Sequence, residues 1–309
     1  MTKQSSYSKR QKKLLQKELL RVERQEQVLR REALRAKPPA WKAALEQKVP
    51  EKIRTGLESG FRKGFTIVFT SGRPIIEKSY RKEELKANHA VHDYAMQMKG
   101  GRKEWRQLRR EAKQANWLNL AATTAEGMGL GVLGIGLPDI ILFLGMLLRG
   151  IYETALHYGF DYEDRWEQLL ILKMMTTALS TGEEWEYHHS KLEALLKEEV
   201  QQVSEQAFAD QIDQTASVFA VELMALKFIQ GLPVVGVVGG AANPVYYARV
   251  LKYVRCQYEK RYLQKQLKLI SDASEKAAKQ PFWRLFRSQM PVWADFAVRD
   301  KTEKIDRED

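Results

Sequence analysis

The stretch GMGLGVLGIGLPDIILFLGMLL, from Gly127 to Leu148, most constrains what this chain can fold into. As a helix it would cross the ~30 Å hydrocarbon core of a bilayer. It carries one ionised residue, Asp139, within a chain of which 29% of residues are charged. On an insertion scale its large apolar side chains contribute about −5 kcal/mol, and a central Asp139 returns about +3 kcal/mol. The glycines and Pro138 erode what is left, so the balance is close to zero and does not support a confident span. A second apolar block, GLPVVGVVGGAANPVYYARVL, starts at Gly231; it has fewer large side chains, two prolines and Asn243, and makes a poorer span.

The glycines admit three uses. Gly129, Gly131 and Gly134 spell GxGxxG, but that fingerprint needs a strand feeding a tight turn before a helix. Here NWLNLAATTAEGM precedes it with a helical pattern and no βαβ unit surrounds it; no Walker lysine follows either block. Dinucleotide and P-loop binding are therefore set aside. Gly127 and Gly131 are four apart, as are Gly236 and Gly240, so each pair lies on one helical face where two backbones can approach closely. The expectation is two hydrophobic helical segments packed together in a soluble core, with a hairpin dipping into lipid as the alternative.

The remainder reads as helices without alternating strands. Pro50 opens a helix with Ile53, Leu57, Phe61, Phe65 and Phe69 on one face. Gly100-Gly101 breaks a charged middle, and Tyr158-Gly159 ends a helix before Asp161, a candidate cap for the next one. Val203, Ala207, Phe208, Ile212, Ala216, Phe219, Leu223 and Met224 mark a long amphipathic helix. The fold class is all-α, a single helical domain with two Gly-rich apolar segments in its core. Its expected limits are a basic helical extension over 1–37, the domain over 38–298 and a charged tail over 299–309.

Charge sets the class of partner. Net charge is +12, and the first 36 residues hold eleven Lys and Arg against four Glu, a net +7. In that arm Leu15, Leu19, Val22, Leu29 and Ala33 follow a 3.5-residue period that Glu26 interrupts. A solvated arm or a helix lying on anionic lipid both suit this pattern; no specific nucleic-acid partner is expected. The start of the chain lacks an apolar signal region. Near the other end, Trp283 and Trp293 alternate with arginines in QPFWRLFRSQMPVWADFAVR, as in an interfacial anchor.

Chemical groups are sparse. His89-x-x-His92-Asp93 and the Glu153/His157 pair have metal-ligand spacing, yet NHAVHDYAM is polar and reads as solvated surface. His188-His189 receives no role. Cys256 is the only cysteine, so disulfides and Cys-rich zinc sites are ruled out. No G-x-S-x-G or HExxH occurs. No cofactor, metal or catalytic residue is expected.

Three ordered blocks are similar to the bacterial EcsC protein family: VPEKIRTGLESGFRKGFTIVFTSGRPIIEKSY, the run from Gly127 to Met175, and LPVVGVVGGAANPVYYARVLKYVRCQYEKRYL. The resemblance runs from about Trp41 to Leu267 and leaves the basic arm outside. The family commonly has Asp-Leu-Pro where this chain has Leu137-Pro138-Asp139. The resemblance implies a helical cytoplasmic or membrane-associated protein, often linked by name to a neighbouring ABC-type exporter, and brings no catalytic residues with it. The expected role is a non-catalytic accessory protein, cytoplasmic and peripheral at the inner face of the plasma membrane, with anionic lipid and a membrane transporter as partners and lipid or acyl-chain binding inside the helical core as an extension of that role. A hydrolase and an integral hairpin protein are the competing readings. Candidate ligand or membrane contacts are Gly127, Gly131, Gly134, Pro138, Asp139, Arg149, Gly236, Gly240, Asn243, Trp283 and Trp293.

Overall fold

In the computed structural model, residues 3–35, 51–99, 101–111, 137–197, 202–229 and 243–279 are described, and these are almost entirely helical. In chain order the helices are α1 (Lys3–Arg35), α2 (Glu51–Ile67), α3 (Arg73–Lys78), α4 (Lys82–Lys99), α5 (102–111), α6 (Leu137–His157), α7 (Arg165–Leu179), α8 (Gly182–Leu195), α9 (Glu205–Ile229) and α10 (Asn243–Lys279). The described chain falls into two compact units that divide after Gln264. In the second, only the helical run 265–279 is described.

In the first unit α6 packs against α2, α3 and α4. It contains Ile140–His157, which is long and apolar enough to cross a membrane, and 72% of that run is buried inside the protein. From Ile140 onward the opening stretch is therefore mostly buried against α2, α3 and α4. Close packing here uses glycines other than the predicted pairs. A Cβ on Gly60 of α2 would lie 2.8 Å from Ile140 Cδ1, and one on Gly64 would lie 2.9 Å from Ile140 Cγ2. These two glycines, four apart, let α2 and α6 meet as small residues at that spacing do. Gly127, Gly131, Gly134, Gly236 and Gly240 lie outside the described residues.

The predicted helix after Pro50 holds from Glu51, with Leu57, Phe61, Phe65 and Phe69 buried in sequence order. It widens into a π-helical turn at Val68–Gly72 before α3. Pro74 explains the widening, since its ring would clash with the carbonyl four residues back in a regular helix. Phe61 and Phe65 meet Phe219 of α9, and Phe69 meets Phe208 edge-on at 5.6 Å. In α9, Phe208, Ile212, Ala216, Phe219 and Met224 are buried as the periodicity predicts, whereas Ala207 is exposed and Val203 lies ahead of the helix. At Gly159 the backbone turns left-handed (φ 73°) and ends α6, and Phe160 N donates to the Ala155 carbonyl. The next cap is Asp164, whose carboxylate accepts from Trp166 N. Asp161 instead bonds Glu163 N within the turn.

Helix α10, up to Gln264, is the spine of the first unit. Its side chains reach α9 through Tyr246, the end of α7 through Arg249, α8 through Tyr253 and α4 through Tyr262. Helix α1 also joins this core: it packs on α8, and Leu15 and Val22 are fully buried. The arm is accordingly a helix with one buried face rather than a solvated extension.

Candidate functional site

Glu26 sits in α1 at the heptad position between Val22 and Leu29. It is only 5% exposed. Its carboxylate accepts from Gln257 Nε2 at 2.7 Å and from Lys260 Nζ at 2.8 and 3.1 Å, both on α10. Lys260 also donates to Glu193 of α8 at 3.1 Å. His189 completes the group, its Nδ1 2.8 Å from the Tyr253 hydroxyl and its Nε2 3.8 Å from Glu26. Burial lowers the pKa of His189, partly offset by Glu26. Glu26, His189 and Glu193 are close enough to share one metal ion, but the Lys260 ammonium already bridges the two carboxylates. Sequence pattern had marked Glu26 only as a flaw in the seam.

Two more internal ion pairs fix α10. Arg261 holds Glu167 of α7 through two parallel bonds of 2.6 and 2.7 Å, and the Tyr258 hydroxyl donates to the same carboxylate at 2.8 Å. Glu259 lies between Arg21 of α1 and Arg109 of α5. A buried carboxylate requires such partners, because removing it from water unpaired is very costly.

The histidines are not solvated as expected. His89 Nδ1 lies 3.0 Å from the carbonyl of His157, so the segment around His89 docks on the end of α6. His92 Nε2 pairs with Glu111 at 2.8 Å. His157 is buried, its Nε2 has no hydrogen-bond partner among the described residues, and burial pushes its pKa down to about 4. Glu153, its predicted partner, accepts instead from Arg149 Nε at 3.0 Å, within the body of the protein. Cys256 is buried, its thiol directed at the Val22 carbonyl, and burial followed by Glu26 raises its pKa to about 12. That is the opposite of what a nucleophilic cysteine needs.

Of the other predicted contacts, Pro138 and Asp139 fall in the first turn of α6, where proline's missing N–H is harmless. Asn243 begins α10. Trp283 and Trp293 lie outside the described residues.

The outer surface carries a different feature. A groove of about 690 Å³ runs between the first half of α1 and the turn joining α4 to α5. Among the described residues Arg10, Lys13, Lys17, Lys99 and Arg102 line it, against a single carboxylate, Glu104. Gln11 Nε2 donates to the Met96 carbonyl at 2.7 Å and keeps α1 along α4. On α4, leading to Lys99, Val91, Tyr94 and Met98 are 66, 65 and 63% exposed. Their i, i+3, i+7 spacing makes an exposed apolar stripe along α4, and none of the three lines the groove.

Fold and surface together define a helical domain that pairs Glu26, Glu167 and Glu259 with cations in its interior and whose outer groove is basic. The chain belongs to the EcsC protein family, whose pattern matches residues 13–263. The match starts inside α1, ahead of Trp41, so the helix expected to fall outside the resemblance is largely within it. No curated protein and no solved structure matches the chain.

Proposed function

We propose that this is a non-catalytic accessory protein that docks on the anionic inner face of the plasma membrane. The basic groove between α1 and the α4–α5 turn carries this reading, and the exposed Val91, Tyr94 and Met98 of α4 add apolar surface. Five cations against one carboxylate, at about 1 kcal/mol for each charge near an anionic surface, supply about 4 kcal/mol. Neither feature is adequate alone: the stripe is short, and charge without apolar contact is screened by salt. Because the groove is lined by charges, it selects lipid headgroups over acyl chains. A membrane transporter is the protein partner that the family resemblance implies.

Vesicle co-sedimentation of the full chain tests the reading. Binding should require phosphatidylglycerol in phosphatidylcholine vesicles, weaken steeply with salt, and fall about a hundredfold when Lys13, Lys17 and Lys99 become Gln. Equal binding to neutral vesicles, or unchanged binding by the triple variant, would overturn it. Deleting everything before Trp41 is not a usable test, because it removes the buried face of α1.

A further inference from the structure

Helices α7, α8 and α9 enclose a cavity of about 250 Å³ on the side of the protein defined by Lys173 and His188. Lys173, Lys191 and His188 line it with Gln211, Gln214 and Thr176, and no carboxylate does among the described residues. Lys173 is half-buried. Its ammonium donates to a neutral group, Gln211 Oε1, at 2.7 Å, and among the described residues it has no ion pair. Burial and the neighbouring Lys191 both lower its pKa. This contrasts with Lys260, Arg261 and Arg21, each of which faces a carboxylate. The Glu184 carboxylate acts on His188 from outside the cavity lining.

The neutral groups are held in place. Gln211 Nε2 is 3.3 Å from both Thr176 Oγ1 and Thr215 Oγ1, and these two hydroxyls are 2.9 Å apart. The amide is thereby fixed with its oxygen towards Lys173. Two like charges without a counter-charge in one polar cavity are destabilising, and an anion between them removes the repulsion. The volume lies below the ~300–1,000 Å³ of most small-molecule sites, so a compact group fits rather than a nucleotide.

We infer that this cavity is a binding site for a single phosphoryl group, held by the ammonium groups of Lys173 and Lys191 with His188 and the Gln214 amide at its edge. The group can arrive as inorganic phosphate, as a small phosphomonoester or as the headgroup of a phosphomonoester lipid. The site is separate from the basic groove and does not depend on the membrane reading.

Isothermal titration of the full chain with inorganic phosphate should show saturable binding, with chloride giving none. Each lysine contributes about one charge-assisted hydrogen bond, so Lys191→Gln, at an exposed position, should weaken binding about tenfold. Lys173→Met with Lys191→Gln should abolish it, while leaving binding to phosphatidylglycerol vesicles unchanged. Glycerol 3-phosphate matching phosphate would identify a soluble ligand. Binding of phosphatidic acid vesicles that the double variant loses, beyond its phosphatidylglycerol binding, would identify a lipid. No phosphate heat in the wild type, or equal affinity in Lys191→Gln, would overturn the site even if vesicle binding is retained.

Discussion

Protonation of His157 should set the acid limit of this fold. The imidazole is buried at the end of α6, and its pKa falls from an ordinary value near 6.5 to about 4 because burial disfavours the cation. The depressed value means the native chain refuses a proton that the unfolded chain accepts. Stability is therefore complete above about pH 6.5 and declines as pH falls towards 4. Between pH 7 and pH 5 the linkage amounts to about 2 kcal/mol, rising to about 3 kcal/mol below pH 4. His188 and His189 are shifted the same way by burial and add to the slope. Their share is removed by comparison with His157→Gln, which stays neutral and keeps an amide able to bond the Leu108 carbonyl. Urea unfolding of both proteins at pH 7, 6 and 5 should give a slope shallower by about 2 kcal/mol in the variant. An identical acid slope, or an NMR titration placing His157 near 6.5, would refute the burial argument.

Other consequences can be checked with single substitutions. Glu167→Ala leaves Arg261 uncompensated inside the protein and should cost about 3–5 kcal/mol, read from denaturant midpoints. Glu167→Gln with Arg261→Met should recover part of that loss. Gly159→Ala forces a side chain into a left-handed backbone and against the His89 ring, and should lower stability by about 1–3 kcal/mol. Cys256 should resist a thiol reagent at neutral pH until denaturant is added. Removing α1 should yield an aggregating chain, visible by light scattering, because Cys256, Gln257 and Lys260 lose their cover.

Local pattern carried much of this architecture. The four-residue spacing of Leu57, Phe61, Phe65 and Phe69 identified a buried face without knowledge of its partner, and Gly159 marked a helix end by its conformational freedom alone. The seam of α1 is also legible in spacing, but Glu26 reads as a break. Polarity reads as exposure in a local window, and its partner Lys260 is 234 positions away. The same failure hid the histidines, since His89 and the His157 carbonyl are 68 positions apart and nothing local joins them. Likewise, Lys173 and Lys191 look like ordinary surface charges until tertiary packing shows what does not accompany them. The close-packing glycines were sought in the apolar blocks, whereas Gly60 and Gly64 occur in a charged segment, ESGFRKGF, that invites no such reading.

The docking of α1 on α10 also constrains the order of events on the ribosome. Glu26 leaves the exit tunnel early, yet Gln257 and Lys260 are made more than two hundred residues later. At ~5–20 residues per second, the wait is roughly 10–50 s. Throughout it, the Leu15–Val22 ridge lacks the part of its cover that α10 supplies, and the core formed in the meantime lacks its spine. Closure of α1 on α10 joins two parts of that core that are far apart in sequence. A nascent chain stalled before α10 is therefore a natural client for chaperones and proteases, and the ion pairs around Glu26 report that translation has passed that point.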